Sequence, residues 1–306
     1  MNLILSFKRF FKIFQREVLA FIHRKDLVKL SPLYDNSKWE PGHWYTEHYQ
    51  RHFAPLRLKK LKILEIGVGG YDDPKAGGRS LRMSKKYFPN SLIYGIDLVN
   101  KKALEENRIK IFQGSQTDEF FLKDVLAETG GLDIIIEDGS SSNEAHIKTF
   151  KILFPALNEG GIYAAENIHH SYWPSLNGER WSSLTKGSIF LENWISCGGS
   201  LDFNNSKTLM NMYKRLVDGL NYQDFLKPGY SPSYFDKHIV SIHFYPNLVI
   251  LYKGNNDKPS NFIENNTLRP FVLEKLGVDS LDELGLEFPP TDNSPQECTP
   301  FELSKR

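Results

Sequence analysis

An apolar run, Leu132-Asp133-Ile134-Ile135-Ile136, ends on two adjacent carboxylates, Glu137 and Asp138, and a glycine and three serines follow. A second apolar run ends on Glu166-Asn167, with His169 and His170 just beyond. If both runs are neighbouring strands, Asp138, Glu166 and Asn167 stand side by side as oxygen donors. Such donors at an open site suit Mg²⁺ or a similar hard cation, with water completing the shell. A single strand-end aspartate is usually a turn residue satisfied by backbone N–H groups. The company of Glu166, Asn167 and two histidines points instead to a site with proton-transfer capacity.

A third group lies earlier, in Leu64-Glu65-Ile66-Gly67-Val68-Gly69-Gly70. Gly67 and Gly69 permit a tight turn and a close approach of backbone to ligand. A dinucleotide fingerprint needs a third glycine opening directly into a helix. Asp72 stands at that position, and Tyr71 to Ser80 intervene before any helix. That argues against a nicotinamide cofactor and a hydride-transfer enzyme. Asp97 ends the next apolar run and can accept both hydroxyls of a ribose, while Asp72 and Asp73 would repel a pyrophosphate. A nucleoside-containing ligand without phosphate fits best. Gln116 and Asp118 fall near an adenine edge, and Glu65 and Glu137 complete the candidates for holding the ligand or its loop.

These residues need a scaffold that brings strand ends together. Segments 62–67, 92–97, 109–114, 132–138 and 161–167 are short apolar runs ending in polar residues or glycine, separated by stretches of helical periodicity. Near-continuous apolar strands alternating with helices predict a doubly wound α/β sheet, with ligands at the carboxyl edge. Segment 239–254 holds two β-rich runs joined by Pro246-Asn247, too close for a crossover helix, so a terminal antiparallel hairpin is expected. The interval 168–238 is long enough for helices and a substrate-covering loop, with Trp173 and Trp181 as candidate lid residues.

The chain of 306 residues is expected to divide into an amphipathic lead-in (1–41), the α/β domain (42–254) and a partly disordered extension (255–306) whose polar start precedes a short helix. Phe7, Phe10, Phe11, Phe14, Val18 and Phe21 recur at helical spacing, with Lys8, Lys12 and Arg16 on another face. Packing on the domain or on a second subunit is the first reading, and peripheral contact with an anionic membrane the second. The net charge of +1 and the lack of a basic stripe with stacking aromatics disfavour nucleic acid. Two distant cysteines suit a reducing, cytoplasmic setting.

The motifs HWYTEHYQRHFAPL, LEIGVGGYDDPKAGGRSLRMSKKYFPNSLIYGIDL, FQGSQTD, IIIEDGS and GGIYAAENIHHSYWP, with the closing VSIHFYPNLVILYKG, together resemble the macrolide-sugar O-methyltransferases of the mycinamicin and demethylmacrocin type. The resemblance implies the class I methyltransferase fold and S-adenosylmethionine bound over Gly67 and Gly69 with Asp97 on its ribose. It also implies Mg²⁺ on Asp138, Glu166 and Asn167, and methylation of a sugar hydroxyl on a glycan, glycolipid or glycosylated natural product. Three positions depart from the family pattern. Asn167 replaces an aspartate, and Ser141 and Ala145 replace histidines. His146 is one residue out of register, a turn of about 100° on a helix. With those histidines absent, His169 or His170 becomes the candidate base beside Asp138. The alternative is a protein that binds S-adenosylmethionine with impaired catalysis.

Overall fold

The structure is a computed structural model that describes residues 2–34, 38, 42–175 and 197–286. Within them, seven strands form one sheet: β1 (Lys62–Ile66), β2 (Leu92–Asp97), β3 (Ile109–Gln113), β4 (Leu132–Glu137), β5 (Leu157–Glu166), β6 (Ile239–Tyr245) and β7 (Leu248–Lys253). Their order is β3-β2-β1-β4-β5-β7-β6. The first five are parallel, and β7 inserts antiparallel between β5 and the edge strand β6. This is the doubly wound sheet with a closing hairpin expected from the strand–helix alternation, and it is the class I methyltransferase architecture that the resemblance implies. Asn247 takes the left-handed conformation at the hairpin tip, which asparagine tolerates.

Strand register aligns the candidate residues. Ile66 pairs with both Ile96 and Glu137, and Glu137 pairs with Ala165, so β1, β2, β4 and β5 end at one level. The chain leaves β1 for β2 on one side and returns to β4 on the other. The crevice at this reversal is where open α/β sheets take ligands. β5 begins earlier than its apolar run suggests, because Leu157 pairs with Leu132 across a register shift while Asn158 to Gly160 stay exposed.

Helices cover both faces. On one lie α2 (Leu27–Tyr34), α3 (Tyr45–Phe53) and α4 (Arg79–Tyr87), burying Leu30, Tyr49, Phe53, Leu81 and Tyr87 against Ile63, Ile134 and Ile250. On the other lie α5 (Glu119–Thr129), α6 (Asn143–Leu153), α7 (Leu209–Gly219) and α8 (Tyr234–His238), packing Phe150, Tyr213 and Phe235 against Ile135, Tyr163 and Val249. Each fully buried Ile, Leu or Phe contributes roughly 1.5–3 kcal/mol. That explains why β4 needs three consecutive isoleucines: both of its faces are covered.

The N-terminal segment forms the expected helix, α1 (Asn2–Ile22). Its second half docks through buried Ala20 and a Glu17–Lys86 ion pair of 2.8 Å to α4, while Phe11, Phe14 and Phe21 remain more than half exposed. Among the described residues, no helix is long and apolar enough to cross a membrane. After the hairpin, the polar stretch does more than link. Ile263–Glu264 (β8) and Thr267–Leu268 (β9) pair across Asn265-Asn266, both at positive φ, before the expected short helix α9 (Pro270–Leu276). Expectations for residues 287–306 and for Trp181 fall outside the described residues.

Candidate active site

The loop after β1 is shaped by glycines at positive φ, and at Gly67 there is no room for a side chain. Gly67 has φ +91°, and a Cβ there would stand 2.1 Å from the carbonyl oxygen of Asp138. Its N–H donates to the Ile96 carbonyl at 2.8 Å, so the end of β1 is pinned between β2 and β4. Asp97 reaches back across this loop. Its Oδ2 accepts from the Val68 N–H at 3.0 Å and its Oδ1 from the Val99 N–H at 2.9 Å. Beneath the loop lies Lys101, fully buried, whose Nζ donates to the carbonyls of Tyr71 (2.7 Å), Asp73 (2.6 Å) and Ala76 (3.2 Å). The sequence carries no periodic signal for that lysine, which ties the turn together through its carbonyls.

Gln116 joins the ends of β3 and β4. Its Oε1 accepts from the Ser140 N–H at 2.9 Å, and its Nε2 donates to Glu137 Oε1 at 3.0 Å. Gly67, Gly69, Asp97 and Gln116 all line a cavity of about 1040 Å³ that continues past Asp138 and Asn167 to His169, His170 and Trp173. The volume is sufficient for a nucleoside and a second molecule side by side.

Of the residues expected to hold the ligand or its loop, Asp118 and Glu65 stand elsewhere, and Glu137 braces the loop from beneath. Asp118 is the N-cap of α5, accepting from the Phe120 and Phe121 N–H groups, and is not among the lining residues. An aspartate directly before an apolar helical run is itself the signal for that role. Glu137 points beneath the loop, fully buried, and accepts from Tyr163 Oη (2.5 Å) and Gln116. Glu65 turns toward the metal-side cluster.

That cluster has an unexpected centre. Lys38, only 2% exposed, places Nζ 3.1 Å from Glu65 Oε1, 3.0 Å from Asp138 Oδ2 and 2.5 Å from Glu166 Oε1. Tyr49 Oη donates to Glu166 Oε1 at 2.6 Å, and Tyr45 Oη to Asn167 Oδ1 at 3.2 Å. Asn167, left-handed at φ +58°, donates through Nδ2 to Asp138 Oδ1 at 2.6 Å. Burial opposes the charge on Lys38, but Asp138, Glu166 and Glu65 override it and hold its pKa well above the usual lysine range. Burial and the negative charge of Asp138 push Glu166 up, because one ammonium cannot balance three acids; burial likewise raises Glu65.

Among the described residues, no set of three His, Cys, Asp or Glu side chains has metal-site spacing. The carboxylates are spaced for N–H···O contacts, not for the 2.0–2.1 Å shell of Mg²⁺. Their chemistry nonetheless suits a hard cation, and Glu166 Oε2 is buried without a hydrogen-bond partner. The residues fit a divalent ion once Nζ has moved aside.

Ser141 and Ala145 line the cavity. His146 is buried behind them, with Nε2 on the Ser140 carbonyl and Nδ1 3.3 Å from Glu137, so it buttresses the loop. His169 and His170 flank Trp173 with ring centroids 4.6 and 5.2 Å away. Burial, then neighbouring histidines, push His169 down to about 4 and His170 to about 3. Both are neutral near pH 7, and values that low make them weak bases. His43, which sequence reasoning passed over, lines the same cavity and stacks on Tyr45 at 5.1 Å. Burial lowers its pKa, with Asp138 opposing.

No family model matches the chain. It is 38% identical over 237 residues to mycinamicin VI 2''-O-methyltransferase of Micromonospora griseorubida, covering 77% of this chain and 54% of that protein. Demethylmacrocin O-methyltransferase of Streptomyces fradiae is 39% identical, with 77% and 55% covered. The 8-demethyl-8-alpha-L-rhamnosyl tetracenomycin-C 2'-O-methyltransferase of Streptomyces olivaceus is 37% identical, with 78% and 58% covered. A solved structure of the mycinamycin-pathway methyltransferase MycE, in complex with Mg, SAH and mycinamycin VI, superposes with a TM-score of 0.68 at 35% identity, covering 82% of this chain and 59% of that one. The chain thus spans about half the length of the curated relatives it matches. By fold and by sequence it is a class I methyltransferase-fold protein resembling the macrolide-sugar O-methyltransferases.

Proposed function

We propose that the protein is an S-adenosylmethionine-dependent, Mg²⁺-assisted O-methyltransferase acting on a sugar hydroxyl, with residues 42–254 as its catalytic domain. The observation that carries this reading is a single cavity with two chemistries: the Gly67–Asp97 nucleoside cradle at one end, and Asp138 with three histidines at the other. Relatives named for methylating mycinamicin, demethylmacrocin and rhamnosyl tetracenomycin support a deoxysugar acceptor.

In this reading Gly67 and Gly69 let the cofactor lie against backbone, and Asp97 accepts from its ribose. Gln116 fixes the loop facing the adenine. The acceptor oxygen attacks the sulfonium methyl carbon, the C–S bond breaks, and S-adenosylhomocysteine leaves uncharged. The released proton goes to a neutral histidine; His43, His169 and His170 all border the cavity. Asp138 and Glu166 would hold the divalent ion with Glu65 instead of the expected Asn167, whose amide donates to Asp138 and accepts from Tyr45, and the ion's field would make the acceptor hydroxyl more acidic. Much of the acceleration comes from aligning oxygen, methyl and sulfur.

A second reading, cofactor binding with impaired chemistry, draws on Ser141 and Ala145 at the cavity wall. The exposed Phe11, Phe14 and Phe21 of α1 support peripheral contact with a membrane or a second copy, and hence a lipid-linked acceptor as one option. A cytoplasmic setting agrees with the two distant cysteines.

Calorimetric titration with S-adenosylhomocysteine tests the cofactor assignment. Binding by the wild type and a loss of about tenfold or more in Asp97→Ala are expected, since a charged hydrogen bond contributes about 1.5–3 kcal/mol. An unchanged affinity in the variant overturns the role of Asp97. No binding by the wild type overturns the methyltransferase reading.

A further inference from the structure

Lys38 sits where the resemblance would put a metal ion, and it does so as a built feature. It lies in the connection between α2 and α3, and its own carbonyl accepts from the Tyr45 and Thr46 N–H groups at 3.0 and 3.1 Å. Its backbone therefore caps the first turn of α3, which has no side-chain cap at Trp44. The same helix face carries Tyr45 and Tyr49, four residues apart, whose hydroxyls reach Asn167 and Glu166. Lys38, Tyr45 and Tyr49 thus form one clasp over the ends of β4 and β5. Three carboxylates at 2.5–3.1 Å surround one ammonium, and their hard oxygens are donors that suit a divalent cation as well.

We propose that Lys38 is the resident cation of the carboxylate cluster, and that a divalent metal ion binds there only by displacing its ammonium. The proposal rests on the methyltransferase reading for the metal's identity but concerns a residue that this reading does not need. Lys38 sets the metal threshold: an ion meets a site already occupied by a charged, hydrogen-bonded competitor, and apparent affinity falls by the fraction of molecules in which Nζ is withdrawn.

The test is Mn²⁺ binding, followed by electron paramagnetic resonance, in wild type, Lys38→Met and Lys38→Arg, with S-adenosylhomocysteine affinity measured on each. Lys38→Met is expected to bind Mn²⁺ about tenfold tighter or more, to melt at a lower temperature than wild type, and to regain the difference in millimolar Mg²⁺. Lys38→Arg, which keeps the competing charge, should show no such gain. Unchanged or weaker Mn²⁺ binding in Lys38→Met, with S-adenosylhomocysteine binding intact, overturns the proposal and leaves the methyltransferase reading standing. Loss of S-adenosylhomocysteine binding by wild type overturns that reading instead. Should Lys38→Met not fold, acetylation of Lys38 in the wild-type protein decides the matter by mass spectrometry. Saturating Mg²⁺ should raise its modification severalfold, and equal modification with and without the ion refutes displacement.

Discussion

Gly67 and Gly69 make different demands on the same loop, and exchanging each for alanine separates them. At Gly67 the added Cβ would meet the Asp138 carbonyl oxygen at 2.1 Å and the Gly139 Cα at 3.1 Å. Ordinary contact begins near 3.4 Å, so backbone at the end of β4 must retreat by more than an ångström. Positive φ costs an alanine about 1–3 kcal/mol, and overpacking of this kind adds about 1–3 kcal/mol. At Gly69 φ is +77°, but nothing lies within 4 Å of the new Cβ, so only the backbone cost applies. Since 1 kcal/mol shifts the melting temperature of a domain this size by about 2–4 °C, Gly67→Ala should melt roughly 4–24 °C below wild type. Gly69→Ala should melt roughly 2–12 °C below it, and several degrees above Gly67→Ala. The Gly69 methyl meets open space at a residue that lines the cavity, so its larger effect should be on S-adenosylhomocysteine affinity. Circular dichroism melts and calorimetry on both variants read the two quantities. If Gly67→Ala melts at or above Gly69→Ala, the packing of Gly67 against Asp138 does not constrain the fold, and the argument fails.

Three other outcomes follow from named contacts. Lys101→Met leaves three loop carbonyls without their buried donor, so S-adenosylhomocysteine affinity should fall and stability drop by about 2–5 kcal/mol in urea denaturation; full stability would show that the loop holds itself. His43→Ala should reduce methyl transfer by about 10²–10⁴ without changing S-adenosylhomocysteine affinity, and an unaltered rate would assign the proton to His169 or His170. Burial, then the charges of His243, Arg51 and His48, push the His52 pKa down to about 4 from 6.5, its ring lying between the hydroxyls of Tyr245 and Tyr252. The unfolded chain therefore takes this proton first, and stability should fall as pH drops from 6.5 toward 4, with no contribution above 6.5. Titration of the His52 ring by NMR near pH 6.5 would contradict that.

The parts of the fold that were readable in the sequence rest on local pattern. Runs such as Ile134-Ile135-Ile136 announce strands covered on both faces, and the closeness of the runs about Pro246-Asn247 forces an antiparallel turn. Because those strands end at one level, Asp138, Glu166 and Asn167 could be brought together on paper and are together in space. The clasp was not readable. Lys38 meets Asp138 and Glu166 from a distant connection, and a lysine in a polar stretch looks like any solvated one. Lys101 is hidden for the same reason: its partners are main-chain carbonyls, which leave no mark in sequence. β8 and β9 were missed because two-residue strands have no periodicity, although Asn265-Asn266 is a recognisable turn. Asp118 was misread where a capping rule already explained it.

The most direct measurement of the central claim is transfer of a radiolabelled methyl group from S-adenosylmethionine to rhamnosyl and other deoxysugar glycosides, in Mg²⁺, by wild type and Asp138→Ala. The account predicts an ether-linked label on sugar with wild type and its loss in the variant. Firm cofactor binding without transfer to any sugar would contradict it and leave a protein that keeps the cradle at Gly67 and Asp97 without the chemistry.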